Sequence, residues 1–398
     1  VKTRQELSTA LYENEGAITL IAKYKRERDE ARDALAKVSV GSRNTAGDGD
    51  AMQVDSAALP SSVVAKMEAT QTELSKTRRK RPVPEEWATS EQISQYTTVS
   101  TSQPLYPGGR TLAVREDLAL VGGSDGVAGV YSLSSQKVLS ALKGGGGAIT
   151  DGLWAASRAV VSTASGKVKV FEAQQEVASF GVHAGEASGL ALHPSGDVLA
   201  SVGVDKSYVL YDLEANTVLT QVYSDSGLPI PSPRSTYLLT PSPVLTCAKF
   251  HPDGHLLAAG NMDGQIKVFD VKLGTEAAAF DLGAPVKALV FSENGIWLAA
   301  VTDDSSTVSI WDLRKFTEIK TLEMGGKVDT ISWDYTGQFL AGGGPGGITV
   351  QQYSKSEKAW SIPLQVAVPA TAVAWGKDAQ NLLAINHEGV LTALGAPA

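Results

Sequence analysis

One phrase recurs along this chain at a nearly constant interval. In "HPDGHLLAAGNMDGQIKVFD", residues 251–270, a turn leads into an apolar run, a second turn, and an alternating strand that closes on an aromatic residue and an aspartate. The closing aromatic is Phe269, and its counterparts are Tyr131, Phe171, Tyr211 and Trp311, giving intervals of 40, 40, 58 and 42. Two weaker copies follow, with Gln351 and Ala393 in the aromatic slot. Self-similarity at such a period marks an array of one supersecondary unit, here seven times over.

Within each unit, period-2 alternation is broken by turns three or four times, which predicts antiparallel strands rather than βαβ crossovers. Four short strands in about 40 residues is the size of one propeller blade. "SIWDLRK" at 309–315 carries the Trp311–Asp312 pair of the WD-repeat family, which the other units only approximate. The expected fold is an all-β seven-bladed WD-repeat β-propeller over 111–398, preceded by an α-helical coiled coil. The chain stops soon after a third strand, so the outer strand of the last blade is expected from before the first. "QYTTVS", 95–100, has the alternation to serve as that latch and remove the sheet edge. The 58-residue interval predicts an insertion between blades three and four. Its stretch 224–243 is rich in Pro and Ser, which reads as a surface loop, with Tyr237, Leu238 and Leu239 as a partner-binding alternative.

Before the propeller the period changes. Leu7, Leu11, Asn14, Ile18 and Ile21 are spaced 4, 3, 4 and 3, the seam of a coiled coil over 1–38. Tyr24 and Leu35 continue it after a stammer. Heavily charged flanks favour oligomerisation over a helix lying on the propeller. Residues 39–60 read as a flexible linker. A helix is expected over 61–81, capped by Ser61 or Ser62, with Val63, Val64, Met67 and Leu74 on one face. Its basic end, Lys76, Arg78, Arg79, Lys80 and Arg81, reads as a nuclear signal, an RNA contact or plain solvated surface. Residues 82–110 are a connector that includes the latch.

A net charge of −8 speaks against a general nucleic-acid surface, so no sequence-specific nucleic-acid binding is expected. No apolar run reaches the roughly 18 residues of a membrane span, and none is expected. The lone Cys247 rules out a disulfide framework and a thiolate metal cluster.

Motifs with chemical meaning reduce to turns. "GGSDG" at 122–126 matches a nucleophile elbow, but it falls in the same register as "TASGK", "GVDKS" and "NMDGQ" of other units, where a hairpin turn sits rather than a strand-to-helix bend. The glycine runs at 144–147 and 342–347 lack the Lys-Ser/Thr ending of a phosphate loop. His193 and His251 open equivalent turns. His183, Ser201 and Asp205 match the slots in which WD-repeat proteins link a histidine to a strand serine and a turn aspartate, a blade-stiffening network. No catalytic residue, metal site or cofactor is assigned.

The order of parts resembles the pre-mRNA-processing factor 19 family. The resemblance lies in "RQELSTALYENEGAITLIAKYKRERDEARDAL", "VPEEWATSEQISQY", "TCAKFHPDG", "MDGQIKVFD" and "FSENGIWLAAVTDDSSTVSIWDLRK". That family implies a U-box that recruits a ubiquitin-conjugating enzyme, a homotetrameric coiled coil, and a propeller that binds splicing factors of the Nineteen Complex. It also implies nuclear spliceosome activation and a role in the DNA-damage response. Because the sequence opens within the seam, the U-box is expected to be missing here and ligase activity with it. Cys247, within a blade strand, is not expected to carry a ubiquitin thioester. The alternative is a transcriptional corepressor with an oligomerisation helix and the same propeller.

Overall fold

The computed structural model describes residues 59–77, 84, 86–144, 147–224 and 244–397. The coiled-coil seam, most of the linker, Arg78 to Arg81, and Tyr237, Leu238 and Leu239 lie outside the described residues. Lys76 is described, exposed near the end of a helix.

Seven four-stranded antiparallel sheets make the ring. Blades one to six run in chain order, with strands within 111–143, 149–180, 187–223, 245–281, 286–323 and 330–366. Each first strand packs against the first strands of its two neighbours, and that of blade one meets that of blade seven. Blade seven takes three strands from 372–395 and its outer strand from β1, Thr97–Thr101, with Thr97 opposite Gly395 and Thr101 opposite Thr392. The latch therefore sits close to the 95–100 stretch that the alternation picks out.

The recurring aromatic joins blades. At Tyr211 and Phe269 the pairing of third and fourth strands slips by one residue, as it does at Tyr131, Phe171 and Trp311. Such a bulge re-aims the side chain. Tyr211 then packs on Phe180 of the preceding blade at 4.8 Å, and Trp311 on Phe280 at 5.3 Å. Blade six has Gln351 in this slot. It is 3% exposed, and its amide donates to the Glu323 carbonyl of blade five at 2.7 Å, so a hydrogen bond replaces ring packing.

The aspartate after the aromatic closes the next turn. Asp212 accepts from the backbone N–H of Glu214 and Ala215, Asp270 from those of Lys272 and Leu273, and Asp312 from that of Arg314, at 2.8 to 3.0 Å. These Asx turns explain why aromatic and acid recur together.

Two helices precede the ring. α1 spans Ser61–Thr77, and α2 spans Ser90–Ser94 with a capping box between Thr89 and Gln92. α1 begins one residue earlier than a Ser61 cap requires and two earlier than a Ser62 cap does. The Pro60 carbonyl already accepts from Val64 N–H at 3.0 Å, which puts both serines inside the first turn. Val63 and Met67 are buried and Leu59 joins them, whereas Val64 and Leu74 are half-buried at the edge.

Candidate functional site

The network of His183, Ser201 and Asp205 is the best-defined polar cluster. His183 Nδ1 lies 3.0 and 3.1 Å from the two Asp205 oxygens, and Nε2 lies 2.6 Å from Ser201 Oγ. A carboxylate only accepts, so Nδ1 carries the proton toward it. Burial alone would raise the Asp205 carboxyl, but hydrogen bonds from His183, Ala184 N–H and Ser207 outweigh it and hold the group below the usual range. Ser201 is 0% exposed, and its hydroxyl also meets Tyr211 Oη at 2.8 Å. The arrangement has the order of a nucleophile, base and orienting acid, yet no substrate reaches a serine closed in by a blade strand and a fully buried tyrosine. It braces the entry to blade three.

His193 and His251 brace turns against the following blade. His193 accepts from Ser195 N–H at 3.0 Å and stands edge-on to Phe250. Gly254 of blade four approaches it so closely that a Cβ there would lie 2.0 Å from Nε2, and φ is +81°, so only glycine fits. Burial pulls the His193 imidazole down to about 4. His251 pairs with Asp253 at 2.5 Å and with the Gly295 carbonyl of blade five at 2.9 Å. Ser124 is a hairpin residue whose hydroxyl donates to the Pro107 carbonyl at 3.0 Å. Burial raises the Cys247 thiol above its ordinary range, the opposite of a reactive thiolate. Among the described residues no group of three or more His, Cys, Asp or Glu side chains converges on a metal position, and no helix is long and apolar enough to cross a membrane.

A cavity of about 430 Å³ opens among the turns of blades seven, one and two and the entry to blade three, lined by Arg110, Ser124, Thr150, Glu186, His387 and Glu388. On another part of the ring, segments of the chain itself are docked. Trp87 of the "VPEEW" stretch donates from Nε1 to Asp334 at 3.1 Å, Ser90 bonds Gln352 at 2.5 Å, and Tyr96 Oη donates to the Ala379 carbonyl at 2.5 Å. Sequence reasoning missed these partners because each is separated from its mate by more than 240 residues.

Comparison with known proteins adds two kinds of similarity. The family model described as Prp19/Pso4-like matches residues 1–38, and the WD domain, G-beta repeat matches 232–270 and 280–312. Pre-mRNA-processing factor 19 of Schizosaccharomyces pombe is 29% identical over 419 residues, covering 99% of this chain and 80% of that protein. Pre-mRNA-processing factor 19 of Bos taurus is 32% identical over 371 residues, covering 86% of this chain and 71% of that protein. Pre-mRNA-processing factor 19 homolog 2 of Arabidopsis thaliana is 28% identical, covering 99% and 79%.

Proposed function

Since the chain belongs to the pre-mRNA-processing factor 19 family, we propose that it serves pre-mRNA processing as the assembly and docking part of a spliceosomal ubiquitin ligase. The observation that carries this reading is similarity through 99% of the chain, N-terminal segment and propeller alike. A ring braced by buried networks, in which Ser201 of the His183 network is 0% exposed, supports a binding role for the blades. Residues 1–38 join copies through Leu7, Leu11, Ile18 and Ile21, with Asn14 setting register, into a homotetramer. The propeller holds splicing factors, while a U-box of the family type supplies the ubiquitin-conjugating enzyme. Catalysis then comes from bringing that enzyme and its target together. The work is nuclear, and the run Lys76 to Arg81 serves import.

The test is affinity purification from nuclear extract combined with sedimentation velocity. The wild-type chain sediments as an oligomer and recovers splicing factors. Ile18→Asp with Ile21→Asp sediments as a folded monomer and recovers fewer. An unchanged assembly in the double variant contradicts the seam, and a wild-type chain that recovers no splicing factor contradicts the reading.

A further inference from the structure

Two segments ahead of the propeller occupy equivalent grooves in it. α1 lies where blades three and four meet, on the side of the turns that join first to second and third to fourth strands. Its Leu59, Val63 and Met67 share one apolar cluster with Val198, Phe250 and Val271. Its charges engage both blades: Lys66 pairs with Asp197 and with Glu214, the latter at 2.9 Å, and Glu68 pairs with Lys272. Three blades on, Ile93 and Tyr96 pack among Phe339 and Leu382 where blades six and seven meet. The junction between two blades of this ring is thus a seat for a short helix, with apolar floor and charged rims.

The junction of blades four and five has the same build, and none of the described helices lies in it. Strand register puts Leu256 where blade three has Val198, and turn register puts Leu313 where blade four has Val271. Beneath α1, Val198 and Val271 are each 2% exposed, whereas Leu256 and Leu313 remain partly open, in one cluster with Phe291 and Trp311. At the rim stands Phe316, with φ 55° in the turn position that Gln136, Asn216, Gly274 and Lys358 fill in other blades. Its ring leans on Phe280 of blade four at 6.0 Å, yet the residue is 57% exposed. A large aromatic in left-handed backbone, turned to water, is disfavoured twice over and marks a site kept for something other than stability.

The rims differ in sign from those beneath α1. Where blade three offers Asp197 and Glu214, blade four offers His255 and Lys272, and the counterpart of Lys272 on blade five is Arg314, followed by exposed Lys315. Two of these rim side chains are also bonded within their own blade, His255 to Asp270 and Arg314 to Asp312, and both carboxylates accept from their own turns as well. Lys272 also holds Glu68 of α1, which shows that this rim accepts a carboxylate from a docked helix.

We propose that the groove between blades four and five is a docking site for an amphipathic helix of a partner protein, one with an apolar stripe at four-residue spacing and acidic flanks. The stripe meets Leu256, Leu313 and Phe316, and the flanks meet Arg314 and Lys315. The groove beneath α1, with acid on its blade-three rim, selects against such a helix.

The probe is a fluorescent, stapled peptide of residues 59–77 carrying Lys66→Glu and Lys76→Glu, titrated by anisotropy into the full chain. Stapling removes the ordering cost that would hide weak binding. Saturable binding is expected, weakened at least tenfold by Phe316→Asn, by Arg314→Glu with Lys315→Glu, and by raised salt. The unaltered 59–77 peptide should bind at least tenfold more weakly. Phe316→Asn keeps a residue that tolerates the left-handed turn, so its melting temperature reports that the ring is intact, and the charge variant is an independent check. No saturable binding, binding indifferent to both variants, or binding that releases α1 amides to hydrogen exchange would each overturn the proposal. So would self-association of the chain lost in Phe316→Asn, which would make the occupant a second copy.

Discussion

Ser201 shows how burial overrides geometry. In a cleft, its hydroxyl 2.6 Å from His183 would be a nucleophile, but at 0% exposure it is a brace. Ser201→Ala leaves His183 Nε2 and Tyr211 Oη without their shared partner, a cost of about 1–3 kcal/mol. Chemical denaturation should show that loss while partner recovery from extract stays unchanged, and lost recovery by a folded variant would give the network a binding role. His193 makes a second residue-scale prediction. Its folded-state value of about 4 lies below the ordinary 6.5, so the unfolded chain takes up a proton first as pH falls. The stability it contributes is complete above 6.5 and is lost as pH drops toward 4. His193→Asn should therefore flatten the pH dependence of Tm across that window, and an unchanged slope would mean that this imidazole does not sense acid. At Phe316, relief of left-handed strain, about 1–2 kcal/mol, is set against a lost aromatic contact of about 0.5–1.5 kcal/mol. Phe316→Asn should consequently melt within a few degrees of the wild type.

Blades are stitched together at a recurring position that the sequence leaves half-visible. Near the start of their first strands, Thr150, Ser188, Thr246 and Thr371 donate to a carbonyl of the next blade, at Ala187, Leu245, Val286 and Gly109, over 2.5 to 2.7 Å. Replacing Thr246 by the isosteric Val should cost about 1 kcal/mol, and a pair of such changes in distant blades should add. A larger-than-additive loss would show that the ring fails as one cooperative belt. The latch is the other stitch. A chain beginning at Pro104 leaves the outer edge of blade seven unpaired and should melt lower and dissolve less well than one beginning at Pro84. Equal melting would mean that β1 does not close the ring. At this scale the strands, the turns and the latch are legible, because period-2 alternation and turn chemistry act over ten residues or fewer. The seat of α1 is not legible. Its floor combines Val198, Phe250 and Val271 from two blades, far along the chain from Met67, and only the closed ring brings them together. The same limit hid Trp87. The sequence marks "VPEEW" as unusual but cannot say that its indole reaches Asp334.

The whole molecule joins a seven-bladed ring, whose first strands close a circle and whose rim accepts helices, to an N-terminal segment that matches the Prp19/Pso4-like family. Among the described residues His183, Ser201 and Cys247 are bound into the blades, and the proposed work is that of the surface, the holding of splicing factors. The measurement that tests this most directly is recovery of RNA with the tagged chain from a splicing reaction in nuclear extract. The account predicts that splicing intermediates of the reporter pre-mRNA are enriched over a control propeller protein, and that Ile18→Asp with Ile21→Asp reduces the enrichment while leaving the blades folded. Recovery no better than the control, by a chain shown to be folded and oligomeric, would contradict it.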